Sequence, residues 1–287
     1  LWCICPAATL ISVGDTDKFV VSSVINQTLS YGLPYLCGRI YCRDWDGMKD
    51  LAVGIVMGAM AYAPLCLWEI KMSPQLHFQL YGYAQHSFLQ TVRLLGYRPM
   101  VFMQHGLAAV MFMCMASLTA FWLWRCRSVE HIARIPMSAI VIVLSLTSVL
   151  CQSYLAVALL LIGCGLLSTA RAARQRALMV CLLLTPPAYV ALRTTGLWSG
   201  EHLTRAARLM GKDRAGSIQT RIDSEDVIWR RAKQKLWFGQ GYRTFLQDER
   251  SYRLRAIPDA LWIIVAGTNG LAGLAAWLTA MLVGPTV

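Results

Sequence analysis

Residues 104–124 read QHGLAAVMFMCMASLTAFWLW, a stretch without a single Asp, Glu, Lys or Arg. At about 1.5 Å of rise per residue, such a run matches the roughly 30 Å hydrocarbon core of a bilayer. Further apolar runs lie at 1–13, 19–38, 51–69, 136–151, 153–169, 177–194 and 260–283. Across all 287 residues, 56% are hydrophobic and only 15% are charged. Soluble domains carry about 25% charge, so this chain lacks the polar surface to cover a water-soluble globule. The same composition excludes disorder. The fold class expected is all-α: a polytopic transmembrane helical bundle with a large helical extracytoplasmic loop.

The stretch 136–169 is too long for one span. It reads as a hairpin turning at Cys151-Gln152-Ser153, one long tilted helix being the competing reading. The expected organisation is a bundle over 1–192, with spans at about 19–38, 51–69, 104–124, 136–151, 153–169 and 177–192 and an outer loop at 70–103. A large basic loop at 193–258 and a final span within 259–287 complete it. The chain starts at Leu1 without Met and stops just after an apolar run, which reads as a fragment. Residues 1–13 have no basic segment ahead of them and do not read as a signal peptide.

Charge sets the expected orientation. Segments 39–50, 125–135 and 170–176 hold nine Lys/Arg, whereas 14–18 and 70–103 hold four. Basic short loops stay in the cytoplasm, which places 70–103, the turn at 152 and the long loop outside. Both 125–135 and 170–176 are basic, which favours the hairpin between them.

Loop 193–258 carries 14 Lys/Arg against seven Asp/Glu, over half of the chain's net charge of +12. In a soluble protein such an excess points to nucleic acid; on a membrane protein it points to an anionic lipid headgroup or a lipid-linked phosphate. Residues 201–210 read as a helix with Arg205 and Arg208 on one face and Gly211 as its C-cap. Ser217 or Thr220 reads as the N-cap of the next helix, with Ile218, Ile222, Trp229, Ala232 and Leu236 as its buried stripe. Arg221 lies off that stripe, four residues before Glu225. Gly239 and Gly241 then break the helix and allow close backbone approach to a ligand.

The ten cysteines lack CxxC or metal-ligand spacing and read as small apolar residues. No Walker A loop, HExxH or GxSxG occurs, and no outer acidic cluster offers a magnesium site. Phosphate chemistry here falls to Arg and Lys. The segment 70–103 offers His77, His86, Arg93 and Arg98, and His105 stands at the head of the next span. Snorkelling is the simpler reading for Arg98, and a backbone-bonded helix-start histidine for His105. Within the spans, Pro186-Pro187 is the conspicuous break.

The pattern Arg221-x7-Trp229, followed by Trp237-Phe238-Gly239-Gln240-Gly241-Tyr242-x-x-Phe245, resembles the large-loop signature of the O-antigen ligase/polymerase family. Gly38-Arg39, the stretch from Gly96-Tyr97-Arg98-Pro99 to His105-Gly106, and Asp259-x10-Gly270-x2-Gly273-Leu274 add to the resemblance, which covers about residues 31–283. It implies a C-type membrane glycosyltransferase at the outer face of the bacterial inner membrane. Such an enzyme moves a glycan from an undecaprenyl-diphosphate carrier to a lipid or glycan acceptor, with no cofactor or metal and no nucleic-acid partner. It makes Arg221 the leading contact for the departing diphosphate, Arg98 and Arg205 second, and Gly239 and Gly241 part of the binding element. Asp259 stands where ligases carry histidine. It reads either as the base or as the N-cap of 260–283, with His105 and His202 as substitute bases. A Glu225-paired Arg221 is the structural reading of that arginine. A transporter, or a non-catalytic scaffold whose outer loop binds anions, is the alternative function.

Overall fold

In the computed structural model the apolar runs become helices, and the chain is an all-α polytopic bundle with four helices long and apolar enough to cross a membrane. The structure describes residues 1–14, 17–85, 88–93, 96–169, 172–208, 212–241, 245 and 260–286. The helices are α1 (Cys5–Val13), α2 (Asp17–Gln27), α3 (Leu33–Tyr41), α4 (Trp45–Met72), α5 (Leu76–Tyr81), α6 (Gly106–Arg125), α7 (Met137–Leu150), α8 (Tyr154–Ser168), α9 (Ala172–Thr195), α10 (Glu201–Arg208), α11 (Lys212–Ala232) and α12 (Leu261–Thr286). The four candidate spans are Trp45–Met72, Gly106–Arg125, Arg176–Thr195 and Leu261–Leu282. The run expected at 19–38 is helical in pieces, with a π-turn at Thr28–Gly32 joining α2 to α3.

Two units divide the chain: Arg39–Met179, and Leu1–Gly38 with Val180–Val287. In the first unit α6 is central and packs on α4, α7 and α8. Val56, Val110, Met113, Ile140 and Leu144 form its dry core. Small residues let these helices close up: a Cβ on Gly163 of α8 would sit 2.7 Å from the Leu118 side chain of α6. The Ser117 and Ser148 hydroxyls meet at 3.0 Å between α6 and α7; each also lies within reach of its own i−4 carbonyl, so one hydroxyl donates across the helices and the other donates to its own carbonyl. At its other end α6 reaches α8 through Arg125, which donates to the Leu167 and Ser168 carbonyls and caps the α8 C-terminus. The turn at 151–153 separates α7 from α8, with Gln152 at φ 53. One continuous tilted helix is therefore excluded, and two helices separated by this turn are found.

In the second unit α11 and α1 pack against α12. Ile228, Trp229, Ala232, Trp262, Ile263 and Ala266 form its core. The stripe expected on α11 is buried or half-buried as read, and Arg221 is exposed off it. The helix starts earlier than expected, at Lys212, so Thr220 is interior; its hydroxyl donates to the Gly216 carbonyl at 2.9 Å instead of capping. Gly211 lies outside the described residues.

The break expected at Pro186-Pro187 is absent: α9 runs through both prolines. The broken span is α12, where Gly270 takes φ 69 and ψ −169. A break strands carbonyls on one side and N–H groups on the other. Segment 236–241 takes up both. The Gln240 and Gly241 N–H groups donate to the Gly267 and Thr268 carbonyls at 2.9 and 3.0 Å. The Leu271 and Ala272 N–H groups donate to the Leu236 and Trp237 carbonyls at 2.8 and 3.2 Å. Gly239 and Gly270 both have positive φ, and a Cβ on either would collide with backbone of the other segment. Gly270→Ala should therefore cost about 2 kcal/mol or more, read as a lower thermal midpoint in detergent. A midpoint equal to the parent's would mean that α12 tolerates a continuous helix.

Candidate functional site

Within the Arg39–Met179 unit, the Gly-Tyr-Arg-Pro stretch is shaped by its glycines. Gly96, at φ 126, lies against the Ile70 carbonyl at the end of α4 and closes a two-residue hairpin pairing Val92 with Tyr97 and Arg93 with Gly96. The Arg98 N–H donates to the Thr91 carbonyl at 2.7 Å. Beyond Pro99, the backbone is held by Glu69, a residue only 1% exposed. Its carboxylate accepts from the Met100 and Val101 N–H groups at 2.8 Å each and from Leu76 at 3.2 Å. Val101 sits at φ 51, a costly conformation for a β-branched residue, and the shared carboxylate oxygen holds it there. The Tyr62 hydroxyl accepts from the Phe102 N–H at 3.2 Å and ties the same turn to α4. Sequence reading passed over Glu69 because it stands at the edge of an apolar run, where a charge marks a boundary.

This anchoring brings together two of the candidate residues, Arg98 and His105. The Arg98 side chain lies over Gly106, whose absent Cβ leaves the room: a Cβ there would be 2.7 Å from Arg98 Cδ. His105 is the N-cap of α6, and its Nδ1 accepts from the Leu107 N–H at 3.0 Å. The backbone-bonded reading of His105 is therefore the one the structure displays. A neutral ring held this way carries its proton on Nε2 and is a donor there. Arg98 extends to the turn before α8, where Nη2 is 3.5 Å from the Gln152 carbonyl. Burial lowers the Arg98 pKa, with the like charge of Arg93 adding to the effect. His77 is buried, with Nδ1 3.0 Å from the Tyr83 carbonyl, and packs between Tyr81 and Tyr83. His86 lies outside the described residues.

In the other unit the buried cation is one that sequence reading had assigned to the loop. Arg193 ends α9 with its side chain 4% exposed. Nε is 3.2 Å from Glu225 Oε2, and Nη2 is 2.7 Å from Asp226 Oδ1. Nη1 and Nη2 also donate to the Trp198 and Ile222 carbonyls, each at 3.3 Å. Glu225 further accepts from the Tyr189 hydroxyl at 2.8 Å and the Trp262 indole at 3.3 Å. One carboxylate thus ties α9, α11 and α12 together. The expected ligand of Glu225 was Arg221, i−4 on the same helix; Arg193, Tyr189 and Trp262 are the partners found.

Arg205 and His202 are exposed on α10, and Arg221 is exposed on α11. α10 is set on α11 at Gly200, where φ 79 and the missing Cβ admit the Ile222 side chain. Gly239 and Gly241 are buried against α12: the close backbone approach expected of them is to the broken helix. Asp259 lies outside the described residues. Among the described residues no group of three or more His, Cys, Asp or Glu is placed to hold a metal ion. No family model, curated protein or solved structure matches the chain.

The carboxylates on Arg193 differ in burial, Glu225 being 12% exposed and Asp226 49% exposed. Glu225→Gln should cost about 3 kcal/mol, as breaking a buried pair does. Asp226→Asn should cost under about 1 kcal/mol, since solvent screens that arm. Unfolding midpoints in detergent distinguish the two; equal losses would remove the special place given to Glu225.

Proposed function

We propose that this membrane-embedded chain transfers a glycan from an undecaprenyl-diphosphate carrier to a lipid or glycan acceptor at the outer face of the bacterial inner membrane. The observation that carries the reading is the charge left on display by α10, α11 and the segment after them. Among described residues 196–241, Arg205, Arg208, Arg221, Arg230, Lys233 and Lys235 are exposed, whereas Glu201 and Asp223 are the exposed acids. Glu225 and Asp226 are drawn to Arg193. Two acids of this segment thereby serve Arg193, and among the described residues the exposed basic side chains outnumber the exposed acidic ones. A diphosphate gains negative charge as its sugar departs, and cations held ready for it lower that barrier. Guanidinium groups suit the task because their planar fork matches two phosphate oxygens and stays charged.

Arg221 is assigned to the leaving diphosphate, with Arg205 beside it in rank. The charge bias of the short loops supports an outward-facing loop, and the short signature around Arg221 and Gly239 supports the donor class. Asp259 is assigned as the base that takes the acceptor hydroxyl's proton. His105 is a weaker base candidate, since its Nδ1 already accepts a backbone bond.

Solute transport has one observation in its favour, the break in α12. Discontinuous spans commonly bind solutes through their freed backbone groups. Here the Gly267, Thr268, Leu271 and Ala272 groups are already bonded to segment 236–241, which takes those four out of use as solute ligands, and glycan transfer is preferred.

Purified protein in liposomes, given a polyprenyl-diphosphate oligosaccharide and a glycolipid acceptor, should release polyprenyl diphosphate and lengthen the acceptor. Arg221→Ala should lower kcat about 100-fold, the size expected for losing one donor to a developing charge. Arg230→Ala should change it far less. Equal small losses from both, with strong salt dependence, would indicate the scaffold reading. Normal turnover in Arg221→Ala would remove that arginine from the site.

A further inference from the structure

Arg98 is a half-buried cation without a described carboxylate. Both described ion pairs belong to Arg193, and Glu69 is committed to the Leu76, Met100 and Val101 N–H groups. The Arg98 Nε is sealed from solvent and has no hydrogen-bond partner. A snorkelling arginine keeps its whole head in water; this one does not. A shielded guanidinium that lacks an anion is costly, and its lowered pKa shows the same penalty.

The surroundings of that guanidinium are built for an anion as well. Its Nη2 reaches the carbonyl of Gln152, one residue ahead of Ser153, the N-cap of α8. Ser153 is 5% exposed and has the extended backbone of a capping residue, yet its hydroxyl makes no capping bond. Serine at this position ordinarily accepts from a first-turn N–H. Here the serine at the positive end of a 15-residue helix leaves its capping bond unmade. The Arg98 guanidinium, through Nη2, thus reaches the start of α8 beside Ser153, with no described carboxylate to neutralise it.

We infer that Arg98, the Ser153 hydroxyl and the α8 N-terminus form a phosphate-binding site in the Arg39–Met179 unit, taking the phosphate of a membrane lipid. The guanidinium supplies parallel N–H donors, the serine an O–H donor, and the helix end a favourable field. Either a phospholipid headgroup or a polyprenyl diphosphate carries this chemistry. The site does not depend on glycan transfer; it requires only a phosphorylated lipid at the membrane surface.

The test is binding, measured by native mass spectrometry on the purified protein in neutral detergent. The probes are farnesyl diphosphate and phosphatidylglycerol, with farnesol and diacylglycerol as uncharged controls. Arg98→Gln should weaken the phosphorylated probes at least tenfold and leave the uncharged ones alone, while Arg93→Gln stays within about twofold of the parent. Ser153→Asp places a good N-cap beside Arg98 and supplies its missing anion. That variant should fold with a raised thermal midpoint and lose the phosphorylated probes, so the answer survives even if Arg98→Gln does not accumulate. Losses confined to farnesyl diphosphate identify a polyprenyl carrier as the source; losses confined to phosphatidylglycerol identify a headgroup. Parent-like binding in Ser153→Asp, or in folded Arg98→Gln, overturns the site, as does an equal loss in Arg93→Gln.

Discussion

Inside a bilayer there is no water to satisfy a stray peptide group, so each backbone N–H and carbonyl needs a partner from the protein. That requirement governs the last span. Gly270 interrupts α12, and four backbone groups around the break bond to segment 236–241. Segment 236–241 of the long loop is consequently built into the same fold as α12. Gly239 and Gly270 are glycine for one reason, since the two strands of backbone lie too close for a Cβ on either. Gln240 adds a side-chain bond from Nε2 to the Arg231 carbonyl at 2.8 Å, which fixes the end of α11 to the same junction.

The parts of this architecture legible in sequence are those written in many residues at once. Apolar runs announce helices because a lipid-facing helix is apolar along its whole length. The break between α7 and α8 was legible because the apolar stretch 136–169 is too long for one span. The stripe on α11 was legible because it repeats at the helical period. Features written in one residue were not. Glu69 and Arg193 each sit at the edge of an apolar run, and nothing local says that a distant backbone or carboxylate will bury them. Gly239 and Gly241 announced a close approach, but a glycine's permissiveness does not name what approaches. Prolines 186 and 187 looked like the break because each removes an N–H donor; the helix path continues through them, and the interruption falls on a glycine able to take positive φ.

The arginines illustrate how burial divides one residue type among several tasks. Arg193 is enclosed by two carboxylates and two carbonyls; such a group locks helices together. Arg125 spans helix ends at the surface. Arg205 and Arg221 are open to solvent on α10 and α11, where a ligand can reach them. Arg98 lies between these extremes. Net charge alone ranks all of them equally; their burial does not.

The lengths of α7 and α8 carry a consequence of their own. With 14 and 15 residues, these helices rise only about 21 to 23 Å, short of the roughly 30 Å that the hydrocarbon demands. A helix this short crosses a bilayer only where the bilayer thins, flanking side chains snorkel or neighbouring helices shield its ends. Thinning on this flank would bring the polar interface to the turn joining the two helices at a depth where the longer neighbours α4 and α6 would still face acyl chains.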